Sequence, residues 1–103
     1  MKSKNTKDIH SIFLNDLKDK EIAAAYLCGC LEDGLPEFNI AVLNVAKASG
    51  NIKKLSSVLE LSRTGFYRSL SEDGKPAFES IHKILTALGF KFEITTNKDK
   101  EAA

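Results

Sequence analysis

The sequence contains no tryptophan, and among its 103 residues there are only two cysteines, two prolines and one methionine. No stretch approaches the ~20 consecutive apolar residues that a membrane-spanning helix needs, and the polar start MKSKNTKD has no apolar signal segment behind it. We therefore expect a soluble, cytoplasmic protein with no membrane partner. Cys28 and Cys30 lie two positions apart on a predicted helix, so they point in different directions and suit neither a mutual disulfide nor a shared metal.

Residues that commonly carry catalysis are also scarce. The two histidines are His10, near the N-terminus, and His82, which sits next to Ile81 at the edge of a predicted apolar stripe. The sequence has no glycine-rich phosphate loop, no H-E-x-x-H motif and no paired-cysteine motif. We therefore predict no enzymatic activity, no metal site and no cofactor.

Length and hydrophobic content predict one domain. A chain of this size, with 43% hydrophobic residues, can form one core but not two. We predict a partly disordered segment over residues 1–15, a domain over residues 16–95 and a disordered tail over residues 96–103. The apolar residues at the end of the first segment are expected to pack back on the core. They are Ile9, Ile12, Phe13 and Leu14.

The formal net charge is only +1, but the charge is unevenly distributed along the chain. Residues 1–38 carry five lysines and seven acidic residues, whereas residues 47–76 carry six basic and three acidic residues. The positive excess is the sign expected where a protein meets phosphate, and the acidic section favours a different partner.

Turn and cap residues divide the first half of the chain into helices. Asp19 is expected to cap a helix that Gly34 stops, Gly50 ends a second helix with Pro36 in its first turn, and Asn51 can cap a third. The second helix repeats its apolar residues at the helical period: Phe38, Ala41, Val42, Val45 and Ala46.

The region from Leu55 to Leu70 reads as two short helices separated by a tight turn. Leu55, Val58 and Leu59 share one face of the first helix, and Leu61 is predicted to fill the turn. Ser62 is a good N-cap for the second helix, which is predicted to bury Phe66 and Leu70. The side chains that then face outward suit base and phosphate contacts: Arg63, Thr64, Tyr67 and Arg68.

The last helix is predicted from about Phe78 to Leu88, after a loop in which Gly74 is available for positive φ. Its expected buried stripe is Phe78, Ile81, Leu85 and Leu88, and Gly89 is its stop. Phe90, Phe92 and Ile94 then alternate with polar residues, which is the pattern of a half-buried β-strand. No other segment alternates in this way, so the unpaired edge favours a homodimer.

These residues carry a family resemblance. The region around Ser62 resembles the Cro/CI-type helix-turn-helix, in which the recognition helix begins at such a serine. Four segments within roughly residues 16–95 resemble the addiction-module antidote proteins, the antitoxins of small toxin–antitoxin pairs: IAAAYL, LEDGLPE, LSRTGFYRSLSEDGKPAF and ILTALGFKFEI. The resemblance implies an all-α, compact five-helix Cro/CI (lambda repressor-like) domain with a short C-terminal β-strand. The family often has glycine where this chain has Glu60, and alanine where it has Ser56.

The resemblance implies an antitoxin of a type II toxin–antitoxin pair. Such a protein represses its own transcription by binding double-stranded operator DNA as a homodimer, and it neutralises a RelE/ParE-like toxin. The DNA-binding residues would be Ser62, Arg63, Thr64, Tyr67 and Arg68, with Lys53, Lys54 and Lys75 on the phosphates. The acidic residues Asp16, Asp19, Glu21, Glu32, Asp33 and Glu37 are the candidate toxin surface. Two alternatives remain: a phage-type repressor without a toxin, and a protein-interaction module that uses the helix-turn-helix as a scaffold.

Overall fold

The computed structural model describes residues 13–97, and its regular structure within this range is entirely helical. Residues 13–16 form helix α1. The helices that follow are α2 (Lys20–Asp33), α3 (Leu35–Ser49), α4 (Ile52–Val58), α5 (Arg63–Ser69) and α6 (Phe78–Ala87). The predicted all-α class is confirmed for these residues. Residues 13–97 contain one helix more than predicted, because residues 13–16 are helical.

The ends of the helices follow the local signals in the sequence. The Asp19 carboxylate accepts hydrogen bonds from the second and third backbone N–H groups beyond it, at 2.9 and 3.1 Å, and α2 begins there. Gly34 separates α2 from α3 with φ of 139°, Pro36 lies in the first turn of α3, and Gly50 ends α3 in the left-handed conformation. Asn51 occupies the N-cap position of α4 as predicted, but its side chain makes no capping hydrogen bond.

Helix α3 lies at the centre of the core, where it packs against α2, α4 and α6. Helix α5 packs against α4. Phe13 and Leu14 pack against this core as predicted, whereas Ile9 and Ile12 lie outside the described residues. The buried apolar residues are Leu17, Ala23, Leu27, Phe38, Ala41, Val42, Val45, Ala46, Ala48, Ile52, Leu55, Phe66, Leu70, Ile81, Ile84, Leu85 and Leu88. None of the helices in residues 13–97 is long and apolar enough to cross a membrane.

Three apolar residues predicted to be buried are exposed. Phe78 is 66% exposed, Val58 43% and Leu61 39%. Side chains on a helix lean toward its N-terminus, and Phe78 is the first residue of α6. Its ring contacts Phe92, at 5.1 Å between ring centroids, instead of the core, and Ile84 completes the buried stripe.

The predicted C-terminal strand is absent from the described chain. Residues 90–97 belong to no helix or strand. The Phe90 N–H donates to the Leu85 carbonyl at 2.8 Å, but residues 91–96 make no backbone hydrogen bond within residues 13–97. A β-strand is defined by backbone hydrogen bonds to a neighbouring strand, and residues 13–97 contain no such neighbour. Phe90 and Phe92 nevertheless pack against the core while Lys91 and Glu93 are exposed, so burial alternates over these four residues.

The turn between α4 and α5 has a Schellman arrangement of hydrogen bonds. The Glu60 N–H donates to the Ser57 carbonyl at 3.0 Å, and the Leu61 N–H donates to the Ser56 carbonyl at 2.9 Å. Glu60 occupies the left-handed position of this motif, with φ of 58°, where glycine is usual. The glutamate at position 60, which the sequence already showed to be unusual, therefore holds its backbone in a conformation that is unfavourable for a residue with a side chain.

We expect the substitution Glu60→Gly to stabilise the protein by about 0.5–1 kcal/mol, because glycine adopts positive φ without steric cost. Urea denaturation followed by circular dichroism would measure the change. Glu72→Gly is the matched control, since Glu72 is an exposed loop residue without positive φ and should be slightly destabilised by glycine. Equal effects of the two substitutions would show that the left-handed turn carries no cost.

Gly74 is needed for a reason different from the one predicted. Its φ is not positive, but an added Cβ would lie 2.2 Å from the Ser69 carbonyl oxygen. The Gly74 carbonyl also accepts a 2.9 Å hydrogen bond from the side chain of Asn39, a buried residue of α3. The loop therefore packs closely against Ser69 of α5, and the hydrogen bond from Asn39 connects it to α3.

Gly74→Ala should destabilise the protein by about 1–3 kcal/mol, the usual cost of forcing a group into packed space. Gly29→Ala is the control, because Gly29 lies inside α2 with no atom within 4 Å of an added Cβ, and alanine there should stabilise by about 0.5–1 kcal/mol. Thermal unfolding of both variants tests the pair. Similar melting temperatures for the two would contradict this account of Gly74.

Candidate nucleic-acid interface

Helix α5 is held by one cap and one deeply buried ring. The Ser62 hydroxyl accepts a hydrogen bond from the Gly65 N–H at 2.9 Å, which confirms Ser62 as the N-cap. Phe66 is fully buried, and this fixes the rotation of the helix about its axis. The predicted contact residues at the start and middle of the helix are consequently exposed: Ser62, Arg63, Thr64 and Arg68.

Tyr67 differs from the other predicted contact residues because it is half-buried and packs against the core. The Arg63 guanidinium and the Lys47 ammonium each lie 5.7 Å from the centre of its ring. A cation over an aromatic face is worth about 0.5–1 kcal/mol at exposed sites. Two cations therefore lie against the Tyr67 ring. Lys47 joins the cationic surface, although the sequence placed it only in the positive section and not among the contact residues. Lys47 and Tyr67 are twenty positions apart, so no local pattern connects them.

The three lysines predicted to contact phosphates are exposed. Lys53 and Lys54 line an open groove of about 480 Å³ at the start of α4, together with Asn51 and Ser57. Lys75 lies in the loop after α5, next to the anchored Gly74. The structure thus places two of these lysines together on α4 and the third on a separate loop.

These cations are not neutralised by neighbouring carboxylates. Within residues 13–97 the one ion pair joins Lys83 to Glu79 on α6, at 3.5 Å. Arg63 and Arg68 on α5, like the lysines beside them, have no acidic partner in that range. Their charge is therefore available to an external anion.

The acidic residues of the predicted toxin surface are all exposed, but they do not form one patch. Asp16 ends α1, Asp19 caps α2 and Glu21 lies in its first turn, whereas Glu32 and Asp33 lie at the end of α2 and Glu37 follows in α3. The 14 residues of α2 separate the two groups by roughly 20 Å at 1.5 Å per residue. Exposed apolar side chains accompany both groups: Ile22 at the start, and Leu31 and Leu35 at the end.

Two side chains of α2 have a shifted pKa. Burial raises the pKa of the Tyr26 phenol, against the effect of a 3.0 Å hydrogen bond from the Asn44 side chain. Partial burial raises the pKa of the Cys30 thiol, and the Asp33 carboxylate adds to this shift. A thiol with a raised pKa is a poor nucleophile at neutral pH. Cys28 and Cys30 are both free.

The remaining candidate groups show no site geometry in the described part of the chain. His82 is exposed and stacks on Phe92, at 6.0 Å between ring centroids, while His10 lies outside the described residues. No three His, Cys, Asp or Glu side chains in residues 13–97 are grouped so that they could hold a metal ion.

Comparisons with known proteins place the chain in a family. A protein of Haemophilus influenzae, described as an uncharacterized protein, is 26% identical over 82 residues, which cover 80% of this chain and 84% of that protein. No solved structure matches the chain. The family model for "probable addiction module antidote protein" matches residues 10–96. The chain therefore belongs to the family of probable addiction module antidote proteins.

Proposed function

We propose that this protein is the antitoxin of a type II toxin–antitoxin pair, which represses its own operon by binding operator DNA and neutralises a RelE/ParE-like toxin. Membership of an antidote family supports the antitoxin role and implies a toxin partner. The observation that carries the DNA-binding part is the outer face of α5, where Arg63, Thr64 and Arg68 are exposed and the arginines have no acidic partner in the described chain.

Helices α4 and α5 act in this proposal as a helix-turn-helix, with α5 in the major groove. The N-terminal part of a recognition helix reaches base edges, so Arg63 and Thr64 are best placed for direct readout. Arg68 lies about 7.5 Å further along the axis, at 1.5 Å per residue, and reaches either a base or a phosphate. The Tyr67 ring packs against the Arg63 guanidinium and so orients it, and the Lys47 ammonium lies against the same ring.

The phosphate contacts come from lysines beside α5. Lys53 and Lys54 approach the backbone from the groove at the start of α4, and Lys75 approaches it from the loop that follows α5. Contacts of this kind supply affinity without sequence information. They also make the affinity for DNA dependent on salt.

The protein acts as a homodimer in this proposal, because one seven-residue helix reads too few base pairs for specific binding. Two recognition helices about 34 Å apart, one turn of duplex, would read a pseudo-palindromic operator in the cytoplasm.

The alternatives are less well supported. A protein-interaction module would present an apolar patch on α5, whereas the exposed side chains there are polar or charged. A phage-type repressor without a toxin leaves the family assignment unexplained. The acidic groups at the two ends of α2 suit a basic partner, as expected of a toxin that engages RNA.

We expect Arg63→Ala and Arg68→Ala to weaken operator binding by about 1–3 kcal/mol each where they pair with guanine. Lys54→Ala should instead weaken binding to all sequences and reduce the salt slope by about one for each phosphate that the lysine neutralises. Fluorescence anisotropy with operator and scrambled duplexes, across salt concentrations, separates the two behaviours. Lys18→Ala is the matched control, since Lys18 is an exposed lysine at the acidic end of the protein.

Circular dichroism must first show that each variant is folded. If all three variants bind operator like the parent, α5 is a scaffold and the interaction-module alternative is correct.

The two acidic groups predict different results for toxin binding. We expect one of the double variants, Asp16→Lys/Glu21→Lys or Glu32→Lys/Asp33→Lys, to slow association with the basic toxin at least tenfold and to lower its salt dependence. The other variant serves as its control, because it carries the same change of charge. Asp19 is left intact, since removing its cap would cost about 1 kcal/mol of stability.

Surface plasmon resonance with a purified RelE/ParE-like toxin that the parent protein binds gives both the association and the dissociation rates. Unchanged association rates for both double variants would exclude the acidic residues as the toxin surface.

A further inference from the structure

Apolar side chains are exposed on and beside the C-terminal segment. Phe78 is 66% exposed, and Ile94 is 97% exposed and therefore uncovered by the rest of the described chain. The half-buried ring of Phe92 connects this surface to the core, since it lies 5.1 Å from Phe78 and stacks on His82 at 6.0 Å. Large apolar groups that lie together at a surface mark an interaction site more often than isolated ones do.

The backbone beside this cluster has free hydrogen-bonding groups. Residues 91–96 make no backbone hydrogen bond inside the described range, although they alternate apolar and polar side chains up to Glu93 and Ile94. An unpaired segment of this kind is a template for pairing with another chain. Its alternating pattern means that the pairing would place Phe90, Phe92 and Ile94 on one face.

The sequence FKFEI of residues 90–94 is complementary to itself in the antiparallel direction. If two copies pair about a twofold axis through Phe92, then Lys91 of each copy lies opposite Glu93 of the other, and Phe90 lies opposite Ile94. Lys91 and Glu93 are both exposed, and neither forms an ion pair in the described chain. Opposite charges directly across two strands are favourable.

Other registers are unfavourable. An axis through Lys91 or Glu93 would place like charges opposite each other, which destabilises a pair of strands. A shift by one residue would place charged side chains opposite apolar ones and turn one apolar set toward water. The five residues therefore specify one register.

We propose that two copies of this chain form a dimer by antiparallel pairing of residues 90–94 about Phe92, which would bury the exposed parts of the apolar side chains of Phe78, Phe92 and Ile94 between them. This inference names the interface of the homodimer and rests on that part of the proposed function alone. The paired segments would form a two-stranded ribbon that neither copy forms by itself. The backbone groups of one copy then bond to those of the other.

Charge exchange across the axis tests the register. Lys91→Glu should weaken the dimer about tenfold, because each glutamate then faces Glu93 of the other copy at two symmetric places. Glu93→Lys should weaken it similarly for the same reason. The double variant Lys91→Glu/Glu93→Lys restores both opposite pairs and should dimerise within about threefold of the parent. Glu72→Lys is the matched control, with the same charge change as Glu93→Lys on an exposed residue of the loop after α5.

Sedimentation equilibrium of the full chain without DNA measures these constants. Ile94→Asp adds an independent measurement, because a side chain that is 97% exposed cannot support the fold of one copy, yet its replacement should abolish the dimer. Weaker dimerisation of the two single variants, together with restored dimerisation of the double variant, supports the proposal. A dimer that all variants leave unchanged overturns this interface but keeps the homodimer, and a parent that is monomeric at tens of micromolar overturns both. Neither result bears on the contacts of α5 with DNA, which the arginine variants test separately.

Discussion

The burial of Phe66 is the interaction on which the candidate interface depends. Helix α5 has seven residues, and an isolated helix shorter than about 12–15 residues is marginal in water. Its stability must therefore come from tertiary packing, to which a buried phenylalanine contributes about 1.5–3 kcal/mol. Leu70 is fully buried just beyond the helix and fixes its other end. Because Phe66 sets the rotation of α5, it also decides that Arg63 and Arg68 face outward.

The sequence predicted those features that a few neighbouring residues decide. The cap at Asp19, the stop at Gly50 and the cap at Ser62 each depend on hydrogen bonds or φ angles within one turn, so their residue types were sufficient evidence. The unusual Glu60 was recognisable for the same reason. Ser56 is buried, and its polar hydroxyl is accommodated because it donates to the Ile52 carbonyl at 2.8 Å.

Features that depend on distant parts of the chain were predicted less well. Helical periodicity placed Phe78 in the core, but a position at the end of a helix is buried only if another element covers it. The same limit applies to the strand, which needs a partner that residues 13–97 do not supply. The support of Lys47 by Tyr67 joins two helices far apart in sequence.

The separation between the two faces of α5 has a consequence for evolution. Arg63, Thr64 and Arg68 take no part in the core, so under the proposed function replacing them would alter recognition without the loss of packing that replacing Phe66 would cause. Related antitoxins in one genome could then acquire different operators by a few surface substitutions while keeping the same fold. Tyr67 is the exception, because it touches both the core and the cations above it. Its position is where a change of specificity and a loss of stability would occur together.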